Sequence, residues 1–156
     1  MTYSENYSKQ LQRLYKIIQE GHKGYIDASE HAKSTDLKAL FQKISAERSS
    51  LADQMASKMS TFGYDPHGKD DTLGALHRGW MNIKASMTSN SDQSILESCR
   101  NGDQAALDAF DDVLQGEILY DTELKSFLME LRLKINETFL DLDKRYFELF
   151  KKDPSL

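Results

Sequence analysis

Small and apolar residues recur at alternating steps of three and four through four long stretches of this chain, and that spacing leaves few folds open. In the first stretch they are Tyr3, Tyr7, Leu11, Leu14, Ile18, Gly21, Tyr25, Ala28 and Ala32. In the second they are Leu37, Leu40, Phe41, Ile44, Arg48, Leu51, Met55 and Phe62. Steps of three and four keep one face of an α-helix in register with a partner, the seam of a left-handed bundle. Thr2 with Glu5 has capping-box spacing, and Ser34-Thr35-Asp36 interrupts the pattern with a fresh N-cap. Gly63 is placed to end the second helix. A shorter helix carries Leu73, Leu76, Trp80, Ile83 and Met87, and the next has Ile95, Cys99, Gly102, Ala106, Ala109 and Val113 on its seam. Asp121 and Thr122 open the last, with Leu124, Leu128, Leu131, Ile135, Phe139, Leu142, Tyr146 and Leu149. The expectation is one all-α domain over residues 1–156, with helices at about 3–33, 36–62, 72–87, 92–115 and 122–152.

Composition closes other routes. Eight Gly and two Pro in 156 residues are too few for a turn-rich sandwich or barrel. A single cysteine, Cys99, excludes an internal disulfide framework and a Cys-based zinc site. A net charge of −5 argues against nucleic acid as a partner. No apolar run reaches the length of a membrane span, and MTYSENYSKQ lacks the basic and apolar regions of a secretory signal. The expected location is the cytoplasm.

The chain also resembles itself. An offset of 81 residues pairs Gly21 with Gly102, Leu14 with Ile95, Ile18 with Cys99, Tyr25 with Ala106, and Asp27-Ala28 with Asp108-Ala109. Beyond the next loop an offset of 87 pairs Thr35 with Thr122, Leu37-Lys38 with Leu124-Lys125, and Met55 with Leu142. Two helical hairpins follow from this, joined by a crossover through GYDPHGK and the short helix. A crossover helix of about sixteen residues spans roughly 24 Å, enough to return the chain to the opposite end of a bundle. That is the ferritin-like arrangement of four helices.

Gly21 to Ala28, Glu47-Arg48, Leu76-His77-Arg78-Gly79-Trp80 and Cys99-Arg100-Asn101-Gly102-Asp103 resemble a bacterial ferritin-like four-helix-bundle family of unknown function. The likeness covers nearly the whole chain, and His-Arg-Gly-Trp is its most specific part. It implies a bundle and a bacterial origin, and brings no established activity. The chain departs from the family pattern at His22 and Asp103, where Glu is expected, which weakens any shared acidic site.

A ferritin-like di-iron centre draws a Glu from each of two helices and a Glu-x-x-His from each of the other two. Glu47 is followed at that spacing by Ser50, Glu130 by Leu133 and Glu137 by Leu140, so neither motif is present. A polar cluster is expected instead at mid-bundle, made of His22, Glu47, Arg48, Asp103, Glu130 and Lys134. Arg48 occupies a core position between Ile44 and Leu51, where a guanidinium requires a carboxylate from Asp103, Glu47 or Glu130. Exchange of Arg48 for Met is expected to be tolerated, and loss of the acid partner is not. The alternative is a divalent ion on His22, Glu47 and Asp103, a mixed N/O donor set that suits Fe, Mn or Zn better than Mg. In the crossover, Trp80 is expected to pack on the bundle, Gly79 to let the backbone approach, and His77 and Arg78 to pair with acidic side chains. Tyr3, Tyr7 and Tyr15, with Tyr146, Phe147 and Phe150, exceed one core stripe and suggest a homodimer patch where the first and last helices meet.

The functional expectation is a non-catalytic binding or structural protein without a cofactor and with no membrane or nucleic-acid partner. A stress-related role rests on analogy alone. The alternative is a ferritin-like protein that binds Fe, Mn or Zn, with storage or oxidase activity.

Overall fold

The computed structural model describes residues 3–68, 80, 91–116, 118 and 121–150, with side chains described from residue 6 onward. Four long helices account for nearly all of them: α1 (Tyr3–His31), α2 (Thr35–Thr61), α3 (Asp92–Leu114) and α4 (Thr122–Phe150). The described residues contain no strand. The expected end of the last helix, at about 152, lies outside the described residues. Of the expected helix over 72–87, only Trp80 belongs to the described residues, and its backbone is helical. His77, Arg78 and Gly79 lie outside them.

Local chemistry sets the helix ends. The Ser34 hydroxyl accepts from the Leu37 backbone N–H, Ser91 from Ser94, and the Asp121 carboxylate from Leu124. Each occupies an orphan donor in a first turn. At the end of α2, Gly63 has φ +79. Its N–H donates to the Ser60 carbonyl, and the Tyr64 N–H reaches back to that of Met59 at 2.8 Å. This is the two-bond Schellman closure, in which a side chain at Gly63 would be strained.

Neighbouring side chains give the chain directions. Gln12 on α1 donates to the Asp65 carbonyl just beyond α2, and Asp92 at the start of α3 accepts from the backbone N–H groups of Lys33 and Ser34. Arg132 of α4 pairs with Asp111 of α3, and Gln93 at the start of α3 donates to the Tyr146 hydroxyl near the end of α4. Lys58 at the end of α2 pairs with Glu123 at the start of α4. Hence α1 is antiparallel to α2 and α3, α3 is antiparallel to α4, and α2 and α3 run the same way. Thr61 and Asp92 therefore stand at opposite ends of the assembly.

The core lies where the seams converge. Tyr25, Phe41, Phe110, Leu14, Ile18, Met55 and Ile95 are among its fully buried side chains. The main packing is α1 on α2, α3 on α4 and α1 on α3. The N-terminus of α1 and the C-terminus of α4 lie at opposite ends, so the expected joint patch between first and last helices does not form. Of the described side chains in that set, Tyr15 and Tyr146 are core residues, Tyr7 and Phe150 are partly buried against the core, and Phe147 is strongly exposed; the Tyr3 side chain lies outside the described residues. No helix among the described residues is long and apolar enough to cross a membrane.

Candidate functional site

At mid-height, three helices bring polar side chains into the core, two of them charged. Arg48 from α2 is 2% exposed and Asp103 from α3 is 0% exposed. They meet end-on, with Arg48 Nη1 donating to Asp103 Oδ1 at 2.8 Å and Nη2 to Oδ2 at 3.0 Å. Tyr25 from α1 donates its hydroxyl to the same Oδ2 at 2.7 Å. Its ring also lies beneath the guanidinium, with Arg48 Cζ 5.3 Å from the ring centroid. A planar guanidinium fork meeting a carboxylate in two parallel charge-assisted bonds is stronger than neutral pairing and replaces the water both ions lose on burial. Burial opposes the charged guanidinium, but the Asp103 carboxylate, and after it Tyr25, hold Arg48 above its ordinary value.

A tryptophan closes this group. Trp80 is 6% exposed and meets the Tyr25 ring edge-on, with centroids 5.8 Å apart. Its indole lies in a bed of glycines. A Cβ on Gly24 would stand 2.0 Å from Trp80 Cζ3, and one on Gly102 would stand 2.6 Å from Cζ2. Gly21 leaves room beside Arg48, whose Nη1 would be 3.2 Å from a Cβ there. The repeated glycines of α1 and α3 thus serve the indole and the guanidinium. The indole Nε1 has no hydrogen-bond partner among the described residues.

The expected six-residue cluster is divided. Arg48 and Asp103 are joined at its centre. His22 is half-buried and turned to α2, its Nδ1 2.8 Å from the Ser45 carbonyl oxygen. Glu47 and Lys134 are exposed and line, with Arg48, Lys43, Glu137 and Asp141, a groove of ≈ 450 Å³ between α2 and α4. Glu130 is exposed on the rim of a different recess, beside Met129 and Leu133. The reason is angular: each residue sits one place from a core residue (Arg48, Ile135 and Leu131), and one place turns a side chain about 100° around the helix. The structure does not assemble His22, Glu47 and Asp103. No group of three or more His, Cys, Asp or Glu among the described residues is placed to hold a metal. Both Asp103 oxygens are engaged by donors, and the adjacent guanidinium repels a cation, so these residues do not fit the alternative ion.

Periodicity places Tyr25 on the seam and says nothing of its hydroxyl, although it stands one helical turn after Gly21 on the same face, within reach of whatever lies beside that glycine. Gly24 carried no periodic signal, because it lies between seam positions and answers only to the indole.

Burial, and after it the Asp103 charge, push Tyr25 well above its ordinary 10.0, and the same two causes raise Cys99 well above 9.0. Both groups keep their protons in the folded chain and lose them first in the unfolded one. Their contribution is complete below pH 9 and is lost progressively as pH rises beyond 9 for Cys99 and 10 for Tyr25. Unfolding free energies from urea titrations are expected to fall as pH rises from 9 to 10.5, less so in Cys99→Ala and Tyr25→Phe, with a slope for each group that approaches about 1.4 kcal/mol per pH unit only above that group's own ordinary value. Parallel profiles in all three proteins would contradict this assignment.

The family described as a domain of unknown function (DUF2383) matches residues 6–116. That span holds α1 to α3 and all four members of the buried group. No curated protein matches the chain, and no solved structure does.

Proposed function

We propose that this chain, which belongs to the DUF2383 family of domains of unknown function, is a non-catalytic ferritin-like bundle that acts as a binding or structural module. In this reading the place of a metal centre is taken by a closed ion pair. The bidentate Arg48–Asp103 pair carries the reading, because it engages the buried carboxylate of the described core with a guanidinium. The parallel direction of α2 and α3, with Thr61 and Asp92 at opposite ends, supports the ferritin-like connection. Cys99, the lone thiol, is buried, and burial holds it protonated, which suits a packing role and not a nucleophile.

The test is metal content. Untagged protein expressed with added Fe, Mn and Zn is expected to retain far less than one equivalent of any of them after gel filtration. It is also expected to show no change in melting temperature on adding each ion. Stoichiometric metal in the wild type that is lost in Glu47→Ala or Asp103→Asn would replace this reading with the metal-binding one.

A further inference from the structure

We propose that the outer face of α4 is a self-association surface on which a second copy of this chain docks antiparallel, across a two-fold axis at Leu140. Met129, Leu133, Leu140 and Phe147 are 51%, 55%, 55% and 61% exposed. Their spacing of four, seven and seven places them on one narrow stripe, turned away from Leu128, Leu131, Ile135 and Leu142 on the buried side. The stripe is about 27 Å long at 1.5 Å per residue. Large apolar side chains aligned and exposed on one face of a surface helix mark an interaction site, here with Asn136 and Glu137, and then Asp143 and Lys144, between successive members.

The charges and the shape of the face identify the occupant. A closed dimer must use one patch twice, so the patch has to complement itself. With Leu140 on the axis and the helices antiparallel, Leu133 meets Phe147 of the second copy. Glu137, three residues before the axis, meets Lys144, four residues after it. Helical geometry puts both on the same flank of the stripe, so symmetry makes two opposite-charge contacts. The other flank carries a recess of ≈ 630 Å³ between α3 and α4, lined by Leu114, Met129 and Leu133. One wall is pinned by Arg132, which donates from Nε and Nη2 to Asp111 at 2.6 and 3.1 Å. The two-fold carries Phe147, the most exposed of the large apolar side chains, to the mouth of this recess. An aromatic anchor entering an apolar pocket is the usual energetic centre of an interface.

Sedimentation equilibrium of the full chain at about 10–100 µM is expected to give a dimer. Leu140→Glu should raise its dissociation constant at least about 30-fold, with the helical circular dichroism unchanged because the residue is exposed. Glu137→Lys should weaken the dimer, and Glu137→Lys combined with Lys144→Glu should restore it. Under mild oxidation, Leu140→Cys should cross-link alone, Leu133→Cys should not, and the pair Leu133→Cys/Phe147→Cys should do so between chains. Cys99 is buried and does not interfere. A monomer throughout that range, a dimer indifferent to Leu140→Glu, or cross-linking by Leu133→Cys alone would each overturn the proposal.

Discussion

Asp103→Ala is expected to destabilise the protein by about 3–5 kcal/mol, because it leaves the Arg48 guanidinium buried without a counter-charge. Against a total stability of about 5–15 kcal/mol, and at roughly 2–4 °C per kcal/mol for a domain of this size, the melting temperature should fall by about 6–20 °C. The Tyr25 hydroxyl loses its acceptor in the same change, which adds to the cost. The reciprocal substitution is the sharper case. Core position alone predicts that Arg48→Met is tolerated. Asp103 is fully buried, so Arg48→Met strands a carboxylate. In that variant the carboxyl folds best when protonated. Its contribution is therefore intact below the ordinary Asp range and is lost as pH rises, the reverse of a paired acid. The variant should be more stable near pH 4 than at pH 7. Replacing the group as a whole, Arg48→Met/Asp103→Leu/Tyr25→Phe, should recover wild-type stability or exceed it, because apolar packing avoids the desolvation of two ions. Thermal melts of these three proteins decide the matter: an Asp103→Ala protein that melts like wild type would mean that the pair does not form in solution.

The helices could be read from sequence because their evidence is local. A seam at steps of three and four, Ser34 before Thr35 and Gly63 after Phe62 all act within one or two turns, and each finds its expected place in the structure. Arg48 could be located by the same logic, since a charged residue on a heptad core position signals itself. Its partner was less accessible. Asp103, Glu47 and Glu130 were equal candidates along the chain, and only the azimuth of α3 against α2 selects among them. Small rotations decide such matters: Glu47 is a single residue from Arg48 and faces solvent. Tyr25 carries both an apolar ring and a hydroxyl, so periodicity assigns it to the core and is silent about the bond it donates. The aromatic surface was misread for a topological reason. The expected patch takes the start of the first helix and the end of the last to lie side by side, but the chain directions carry them to opposite ends of the fold.

Trp80→Ala is expected to cost about 3–5 kcal/mol, the loss of a large buried aromatic and the void it leaves. The more informative experiment couples it to the glycines beneath it. Gly102→Ala in the wild-type background places a methyl group 2.6 Å from Trp80 Cζ2, and Gly24→Ala places one 2.0 Å from Cζ3. Neither backbone position has positive φ, so the penalty is steric crowding of the indole, about 1–3 kcal/mol for each. With the indole removed the atoms nearest to the same alanines are gone, and they bring their better helix propensity, worth about 1 kcal/mol. Gly102→Ala should therefore change sign, destabilising with Trp80 present and stabilising in Trp80→Ala. The double-mutant cycle should return a coupling of at least about 1–3 kcal/mol, as expected only for residues in contact. Additive effects would place Trp80 away from α1 and α3. The indole is also the lid over the Tyr25 ring, so its removal should open the buried ion pair to water. Trp80→Ala should then lower the alkaline midpoint for Tyr25 ionisation, followed by ultraviolet absorbance at a urea concentration where the variant stays folded. A folded Trp80→Ala protein whose tyrosine titration matches wild type would mean that α1, α2 and α3 shield the Arg48–Asp103–Tyr25 group without help from the crossover.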